Sequence, residues 1–159
     1  MDLLARREHS QLELQRKLAK RFEVAPEAIQ ATIERLTLQG LQSDQRLAEA
    51  YLRARSNGGQ GPIKIKSELR EKGVAEQLVQ QAFKSAALDW EQLAVQVLQK
   101  RFGSSDFEPL EAPDDDVENN PAKNKSDWDK RLKMQAKRTR FLQQRGFTFE
   151  QIRAAEAAC

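Results

Sequence analysis

Apolar residues recur at helical spacing through most of the chain, on one face of each segment. Valine, isoleucine and threonine are scarce, while good helix formers dominate. The sequence therefore predicts an all-α protein. The positions predicted to face a core are Leu14 and Leu18; Ile29, Ile33 and Leu36; Leu47, Ala48, Tyr51 and Leu52; Ile65 and Leu69; Leu78, Val79, Ala82 and Phe83; Leu93, Ala94, Val97, Leu98 and Phe102; Leu132, Met134, Phe141 and Leu142; Ile152 and Ala155.

Start and stop residues divide this pattern into separate helices. Ser10 and Glu13 match a capping box, in which each side chain accepts the other's backbone N–H. Pro26 suits the first position of the next helix, and Gly40 ends that helix. Further helix starts are expected at Ser43 or Asp44, Ala75–Glu76, Asp89–Trp90, Ser126–Asp127 and Thr148.

The helical pattern fails from Gly103 to Asn124, where prolines and acidic residues cannot form a core. We predict a disordered or loosely held acidic insertion at about 104–125. One interpretation is a solvated insertion on one side of a helical repeat. The other is a mimic of nucleic acid that shields the basic faces of the protein.

The helix predicted from Pro62 to Lys72 has both ends marked. Gly61 suits the N-cap, Pro62 the first helical position and Gly73 a left-handed C-cap. The preceding glycines do not form a phosphate loop, because Gly-Lys-Ser/Thr is missing and Pro62 removes an N–H donor.

The charged residues on this helix suggest that it binds a partner. Lys66 and Arg70 lie four residues apart, and like charges at that spacing cost a few tenths of a kcal/mol. Binding a polyanion or an acidic protein surface explains them, and a solvated basic face is the alternative. Glu68 and Lys72 have the same spacing with opposite charges, which predicts an ion pair.

The chain repeats itself when Leu18, Leu69 and Leu142 are aligned. Each leucine is followed three residues later by a basic residue, then by a break and an apolar residue. The leucines are 51 and 73 residues apart, and the excess of 22 is about the length of the acidic insertion. We predict three tandem three-helix repeats that stack into an elongated, curved helical body, at 1–40, 41–87 and 88–159.

Charge is segregated along the chain, although the net charge is only +3. Residues 1–103 carry +4, residues 104–129 carry −7 and residues 130–159 carry +6. Two basic blocks therefore flank an acidic one, which suggests nucleic acid or an acidic protein as the partner. The sequence has one cysteine, Cys159, and one histidine, His9, which excludes an intramolecular disulfide framework and an ordinary Cys/His zinc site. No membrane span or signal peptide is predicted, so we expect a cytoplasmic protein.

Three stretches together resemble the RecX family, bacterial recombination regulators that act on the RecA recombinase. The stretches are Arg6–Ser10 with Glu13, Leu14, Lys17 and Leu18; Ser43, Asp44, Arg46–Ala48, Arg53 and Arg55 with Gly61, Pro62, Ile65, Glu68, Leu69 and Lys72–Val74; and Asp89, Trp90 and Lys100–Gly103 with Arg140–Leu142 and Arg145–Phe147. They cover nearly the whole chain. The first helix is much shorter than the family pattern, and the acidic insertion is longer.

The resemblance implies a protein that binds RecA filaments on DNA. Such proteins lie in the filament groove and suppress ATP hydrolysis, strand exchange and co-protease activity in DNA recombination and repair. It also implies no catalytic residues and no cofactor. We expect a monomer that contacts single- and double-stranded DNA weakly.

For the groove contact we select basic residues of the second and third repeats, because guanidinium and ammonium groups pair with carboxylate or phosphate. These residues are Arg53, Arg55, Lys64, Lys66, Arg70, Lys72, Lys133, Lys137, Arg138 and Arg140. A secondary basic face comprises Arg16, Lys17, Lys20 and Arg21. Tyr51, Phe83, Phe102 and Phe141 are expected in the core rather than as base-stacking platforms.

Two other function classes compete with the filament regulator. A generic helical module that binds DNA or RNA would act by competing for nucleic acid, with steep salt dependence. An enzyme would need a catalytic triad, a metal set or a phosphate loop, and the sequence contains none of these.

Overall fold

The computed structural model describes residues 2–103 and 121–158 of the chain, and for Asp2 and 121–127 it describes the backbone alone. Within those ranges every regular element is an α-helix, so the all-α prediction is confirmed. The helices are α1 Asp2–Arg6, α2 Gln11–Arg21, α3 Pro26–Leu38, α4 Asp44–Asn57, α5 Pro62–Glu71, α6 Glu76–Ala86, α7 Trp90–Phe102, α8 Pro121–Arg145 and α9 Phe149–Ala157. None of these described helices is long and apolar enough to cross a membrane.

Helix N-termini lie close to the positions read from the sequence. The capping boxes at Ser10 with Glu13 and at Thr148 with Gln151 are both formed. Ser43 caps α4 through its side chain. Such caps satisfy N–H groups in the first turn of a helix, which have no partner within the helix.

One helix start was predicted too late. The sequence pattern placed it near Ser126, whereas α8 begins at Pro121. The physical reason is the fixed φ of proline, which suits the first turn of a helix. The end of the predicted acidic insertion is therefore helical, and its remaining part, 104–120, lies outside the described residues.

The C-termini of α5 and α8 have the same local geometry. Gly73 has φ +77° and follows α5, and Gly146 has φ +85° and follows α8. The next N–H groups bond back to the carbonyls of Leu69 and Leu142, at 3.1 and 3.2 Å. Both helices thus end in a Schellman motif with the aligned leucines in the same position. The end of α2 differs, because Phe22 is extended with φ −128° and ψ 132°.

The chain forms two compact units. Unit 1 comprises Met1–Gly58 and Lys64–Leu88, and unit 2 comprises Gly59–Ile63 and Asp89–Cys159. In unit 1, α2 packs on α3 around Leu14, Ile29 and Ile33, and α4 packs on α6. Unit 1 therefore contains two three-helix sets, α1–α3 and α4–α6, apart from the first two residues of α5, which belong to unit 2.

Unit 2 is built around the third set of helices. α7 packs on α9, and α8 contacts both. Its core contains Ala94, Leu98, Leu142, Phe147, Ile152 and Ala155. Phe102 and Phe141 pack edge to face beside that core, with their ring centroids 5.6 Å apart.

Candidate partner-binding surface

The basic residues of α5 have contacts within the protein. Arg70 Nε lies 2.7 Å from Glu76 Oε2, and both side chains are largely exposed. Lys66 Nζ lies 5.0 Å from the centre of the Phe83 ring, a cation–π distance. The like-charge spacing of Lys66 and Arg70 therefore does not mean that folding leaves them without a contact.

Lys72 and Glu68 bind residues of other helices instead of each other. Lys72 Nζ donates to Glu13 Oε1 at 2.7 Å. Glu68 Oε2 accepts from the Tyr51 hydroxyl at 2.8 Å and lies 3.3 Å from Arg55 Nε. The ion pair predicted from their spacing on α5 is thus wrong, because neighbouring helices supply closer partners.

Arg55 and Tyr51 form one cluster with Glu68. Arg55 donates to the Tyr51 hydroxyl at 2.8 Å, and its guanidinium carbon lies 4.9 Å from the Tyr51 ring centre. Burial, followed by the hydrogen bond to Glu68, raises the pKa of Tyr51. The cluster joins α4 to α5, so Arg55 has a structural role whatever else it binds.

Lys72 belongs to a network that joins the first and second helix sets. Ser10 Oγ donates to the Lys72 carbonyl oxygen, and Arg7 Nη1 lies 3.3 Å from Glu13 Oε2. Burial alone would raise the pKa of Glu13, but hydrogen bonds from Lys72, Arg7 and the Ser10 N–H lower it to about 2. Glu13 therefore stays ionised. The sequence identified Glu13 as a cap but gave no sign of its pairing with Lys72.

Arg53 and Lys64 are the remaining predicted contact residues of the second set. Arg53 is exposed on α4, beside a cleft between α4 and α6, and Lys64 is half-buried on α5. Within the described part of the chain neither side chain forms an ion pair. Both cations thus remain available to a partner.

The secondary basic face lies on α2. Arg16, Lys20 and Arg21 are exposed there, and no carboxylate among the described residues pairs with them. Lys17 differs, because its Nζ lies 2.9 Å from Nε2 of His9. His9 is 2% exposed, and burial lowers its pKa.

The geometry around His9 defines its protonation state. An ammonium group only donates hydrogen bonds, so Nε2 of His9 accepts from Lys17. Nδ1 lies 3.0 Å from the carbonyl oxygen of Arg7, which only accepts, so Nδ1 carries the proton. His9 is therefore a neutral structural residue, in agreement with its place beside a capping serine.

The predicted contact residues of the third set all lie on α8. Lys133, Lys137 and Arg140 are exposed, and none forms an ion pair with a described residue. Arg138 is half-buried, with its guanidinium carbon 6.0 Å from the centre of the Phe102 ring. α8 thus carries a run of surface cations beside the packed end of the helix.

The glycine-rich loop before α5 has a structural role in unit 2. The Gly61 N–H donates to the Arg145 carbonyl oxygen at 2.7 Å, and the Ile63 N–H donates to the Gly146 carbonyl oxygen at 3.0 Å. Arg145 Nη1 donates to the Gly59 carbonyl oxygen at 3.2 Å. Since the N–H groups of Gly61 and Ile63 donate to the end of α8, we assign the glycines of this loop a role in close backbone packing.

Three family models match the chain in order. They are described as the first, second and third three-helix domains of RecX, and they match residues 1–36, 43–82 and 122–155. The chain belongs to the RecX family. The family resemblance read from the sequence is therefore confirmed. The boundaries 1–40, 41–87 and 88–159 stay a prediction.

Curated relatives and solved structures agree with this membership. A protein named Regulatory protein RecX from Chromohalobacter salexigens is 40% identical, over 98% of this chain and 86% of its own. One with the same name from Halorhodospira halophila is 37% identical, over 98% of this chain and 83% of its own. The crystal structure of RecX from Lactobacillus salivarius has a TM-score of 0.72 at 20% identity, over 99% of this chain and 89% of that one. This last likeness supports the three-domain helical fold.

Proposed function

We propose that this RecX family member binds RecA nucleoprotein filaments along their groove and inhibits ATP hydrolysis, strand exchange and co-protease activity. One observation carries the proposal. The middle helix of each three-helix set, α2, α5 and α8, presents cations that form no ion pair with a described residue. Folding does not account for such a repeated set of cations, whereas a repeating acidic partner does.

The proposed contacts differ in what they contribute within the fold. Arg53, Lys64, Lys133, Lys137 and Arg140 form no ion pair among the described residues, so they are the first candidates. Arg55, Arg70 and Lys72 each pair with a glutamate. We propose Lys66 and Arg138, which lie beside aromatic rings, as further contacts. Arg16, Lys17, Lys20 and Arg21 are proposed as the secondary face.

A filament is a repeating partner, and this protein has a repeated basic helix. One molecule that binds several filament subunits gains affinity from each added contact without needing a strong one. We therefore expect inhibition at less than one molecule per RecA subunit. The relatives are named regulatory proteins, which supports the proposal that this protein is a regulator rather than an enzyme. We propose that it acts in the cytoplasm, as a monomer and without a cofactor, and that it contacts DNA weakly.

RecA's single-stranded-DNA-dependent ATP hydrolysis, titrated with this protein, tests the proposal. The variant carries Arg53→Glu and Lys64→Glu, because these two changes break no described ion pair. Lys84→Glu is the matched control, since Lys84 is an exposed cation on α6 that we place outside the contact. We expect the double variant to inhibit about ten-fold less well than the wild type or the control.

The same titration separates the two binding classes. If the wild type binds single-stranded DNA but leaves RecA's ATP hydrolysis unchanged, the filament proposal is wrong and a generic nucleic-acid module remains. That module would also show a steep fall of affinity with salt and equal effects on unrelated DNA-binding proteins. Equal inhibition by the double variant and the wild type would remove Arg53 and Lys64 from the contact.

A further inference from the structure

α8 is much longer than its counterparts in the first two helix sets. It has 25 residues, whereas α2 has 11 and α5 has 10. When Gly146 is aligned with Gly73, the first residue of α5, Pro62, falls on Gln135. The part of α8 before Gln135 thus has no equivalent in α5, and it is about 20 Å long at 1.5 Å per residue.

One stripe of α8, which includes the core residue Leu142, carries apolar side chains again in this extra segment, beyond the polar Gln135 and Thr139. Trp128, Leu132, Gln135, Thr139 and Leu142 follow one another at spacings of four and three residues, which keeps them on one helix face. Leu142 is completely buried in the core of unit 2. Trp128 and Leu132, at the other end of the stripe, are 42% and 45% exposed. The core-facing side of the helix therefore extends into solvent with two large apolar side chains.

The charge beside this stripe identifies the chemistry of its partner. Residues 128–140 contain six basic residues and a single acidic one, Asp129. Arg131 and Arg140 are exposed at helix positions that flank the stripe, whereas Lys133 and Lys137 lie on the opposite side of the helix. An apolar pair at i and i+4 within a basic helix is complementary to an apolar groove with acidic side chains at its rim.

Two other occupants fit less well. A second copy of this chain would bring the basic residues of both α8 helices together, and like charges across an interface are unfavourable. Single-stranded nucleic acid stacks successive bases on aromatic side chains, but Trp128 is the only aromatic residue between 128 and 140. Leu132 offers no ring for stacking, although it shares the stripe.

We infer that residues 128–139 of α8 dock as a helix into an acidic-rimmed apolar groove on a partner protein, with Trp128 and Leu132 as the anchors. This inference rests on the proposed function for the identity of the probe, a preformed RecA filament on single-stranded DNA. It adds a contact of different chemistry, since the proposed function relies on cations alone. Amphipathic helices bind grooves in this way, by inserting aromatic and leucine side chains from one helix face.

The test measures affinity for that filament by fluorescence anisotropy. The full chain carries a fluorophore on Cys159, its one cysteine. Salt is held at about 0.15 M, where long-range attraction between exposed charges is screened. We expect Trp128→Ala with Leu132→Ala to weaken binding about ten-fold or more. Leu38→Ala, at a leucine of α3 that is 89% exposed, serves as the matched control and retains wild-type affinity.

A second variant distinguishes lost anchoring from lost folding. Leu132→Met keeps an apolar side chain of similar size, so it is expected to bind like the wild type. The alanine variant should also keep a urea midpoint close to that of the wild type, since neither residue it truncates belongs to the core of unit 2. A shifted midpoint together with weak binding by Leu132→Met would mean that the stripe stabilises the helix, which overturns the inference.

The remaining outcomes separate the inference from the proposed function. Wild-type affinity in the alanine variant overturns the anchoring role and leaves the proposed function standing. An equal loss of affinity for single-stranded DNA without RecA makes nucleic acid the occupant and overturns the protein groove. If the wild type does not bind the filament at all, the proposed function fails, and this inference fails with it.

Discussion

The two ends of α5 are held in different ways. At its N-terminus, the N–H groups of Gly61 and Ile63 donate to backbone carbonyls at the end of α8, and the Gly59 carbonyl oxygen accepts from Arg145. After its C-terminus, the Lys72 side chain pairs with Glu13 and the Lys72 carbonyl accepts from Ser10. One end is thus held by close backbone packing and the other by side-chain charge and capping groups.

At one end of α5 the backbone packing requires a residue without a Cβ. At the other end the stability of the contacts depends on pH and salt. A Cβ at Gly61 would lie 2.3 Å from the Gly146 carbonyl oxygen, a backbone atom that cannot move aside. At the other end, a Cβ on Gly73 would meet the Leu12 side chain. Backbone packing has no dependence on pH or salt, whereas an ion pair depends on both.

The largest effect is expected from Gly61→Ala. The added methyl group would force the loop away from the end of α8 and break two backbone hydrogen bonds, so we expect a loss of about 3 kcal/mol or more. Urea unfolding followed by tryptophan fluorescence measures this in unit 2, because Trp90 and Trp128, the two tryptophans, both belong to that unit.

Gly40→Ala provides the control for this substitution, and because Gly40 lies in unit 1 while both tryptophans lie in unit 2, the two variants are compared by far-UV circular dichroism in urea. Gly40 has φ +68°, but no atom lies within 4 Å of the added Cβ. Its cost is then backbone strain alone, about 1 kcal/mol. Equal stability of the two variants would contradict the steric explanation for Gly61.

An intermediate effect is expected at the charged end of α5, from Glu13→Gln. Gln still caps α2 but loses the ion pair with Lys72. Because the pKa of Glu13 is about 2 in the fold against 4.5 in its ordinary state, its contribution is present above pH 4.5 and is lost as the pH falls toward 2. We expect the variant to be less stable at neutral pH by about 1–2 kcal/mol, after allowing for solvent screening.

Far-UV circular dichroism in urea, repeated from pH 7 to below pH 3, gives the comparison for Glu13. The difference between wild type and variant should shrink across that acid range. Lys72→Met should reproduce the loss, and combining the two changes should add little. A constant difference at every pH would show that Glu13 acts through packing and not through its charge.

The smallest effect is expected from Glu76→Gln, which removes the partner of Arg70. Both side chains are largely exposed, at 59% and 43%, and exposed ion pairs contribute little to stability. Thermal unfolding should not distinguish this variant from the wild type. A clear fall in the midpoint of its thermal unfolding would contradict this expectation. It would mean that the exposed Arg70–Glu76 pair also stabilises the C-terminal end of α5.

Most of the fold follows from local signals in the sequence. Ser10, Pro26, Gly73 and Thr148 act on the backbone within a few residues, so the helices they begin or end were predicted correctly. Pro121 was misread because prolines and nearby acidic residues obscured the helix start. The periodic apolar positions identified most buried faces, including Leu69 and Leu142, but the prediction that Leu132 faces the core is wrong, because Leu132 is 45% exposed.

The candidate surface was predicted less completely. Charge spacing along α5 assigned Glu68 to Lys72 and left Arg70 without a partner. In the structure Glu68 pairs with Arg55, and Arg70 pairs with Glu76. Side chains choose among all neighbours in space, and the helices that pack beside α5 come from other parts of the chain.

The sequence by itself determined the all-helical class, the repeated leucine and glycine positions and the RecX membership, because each depends on residues close together in the chain. Only the tertiary structure decided which cations of α5 are paired and which glycine lies against another backbone. It also decided that Trp128 and Leu132 remain exposed. These features depend on distances between helices, since a charge or an apolar side chain is satisfied by whatever packs against it and not by its neighbours in sequence.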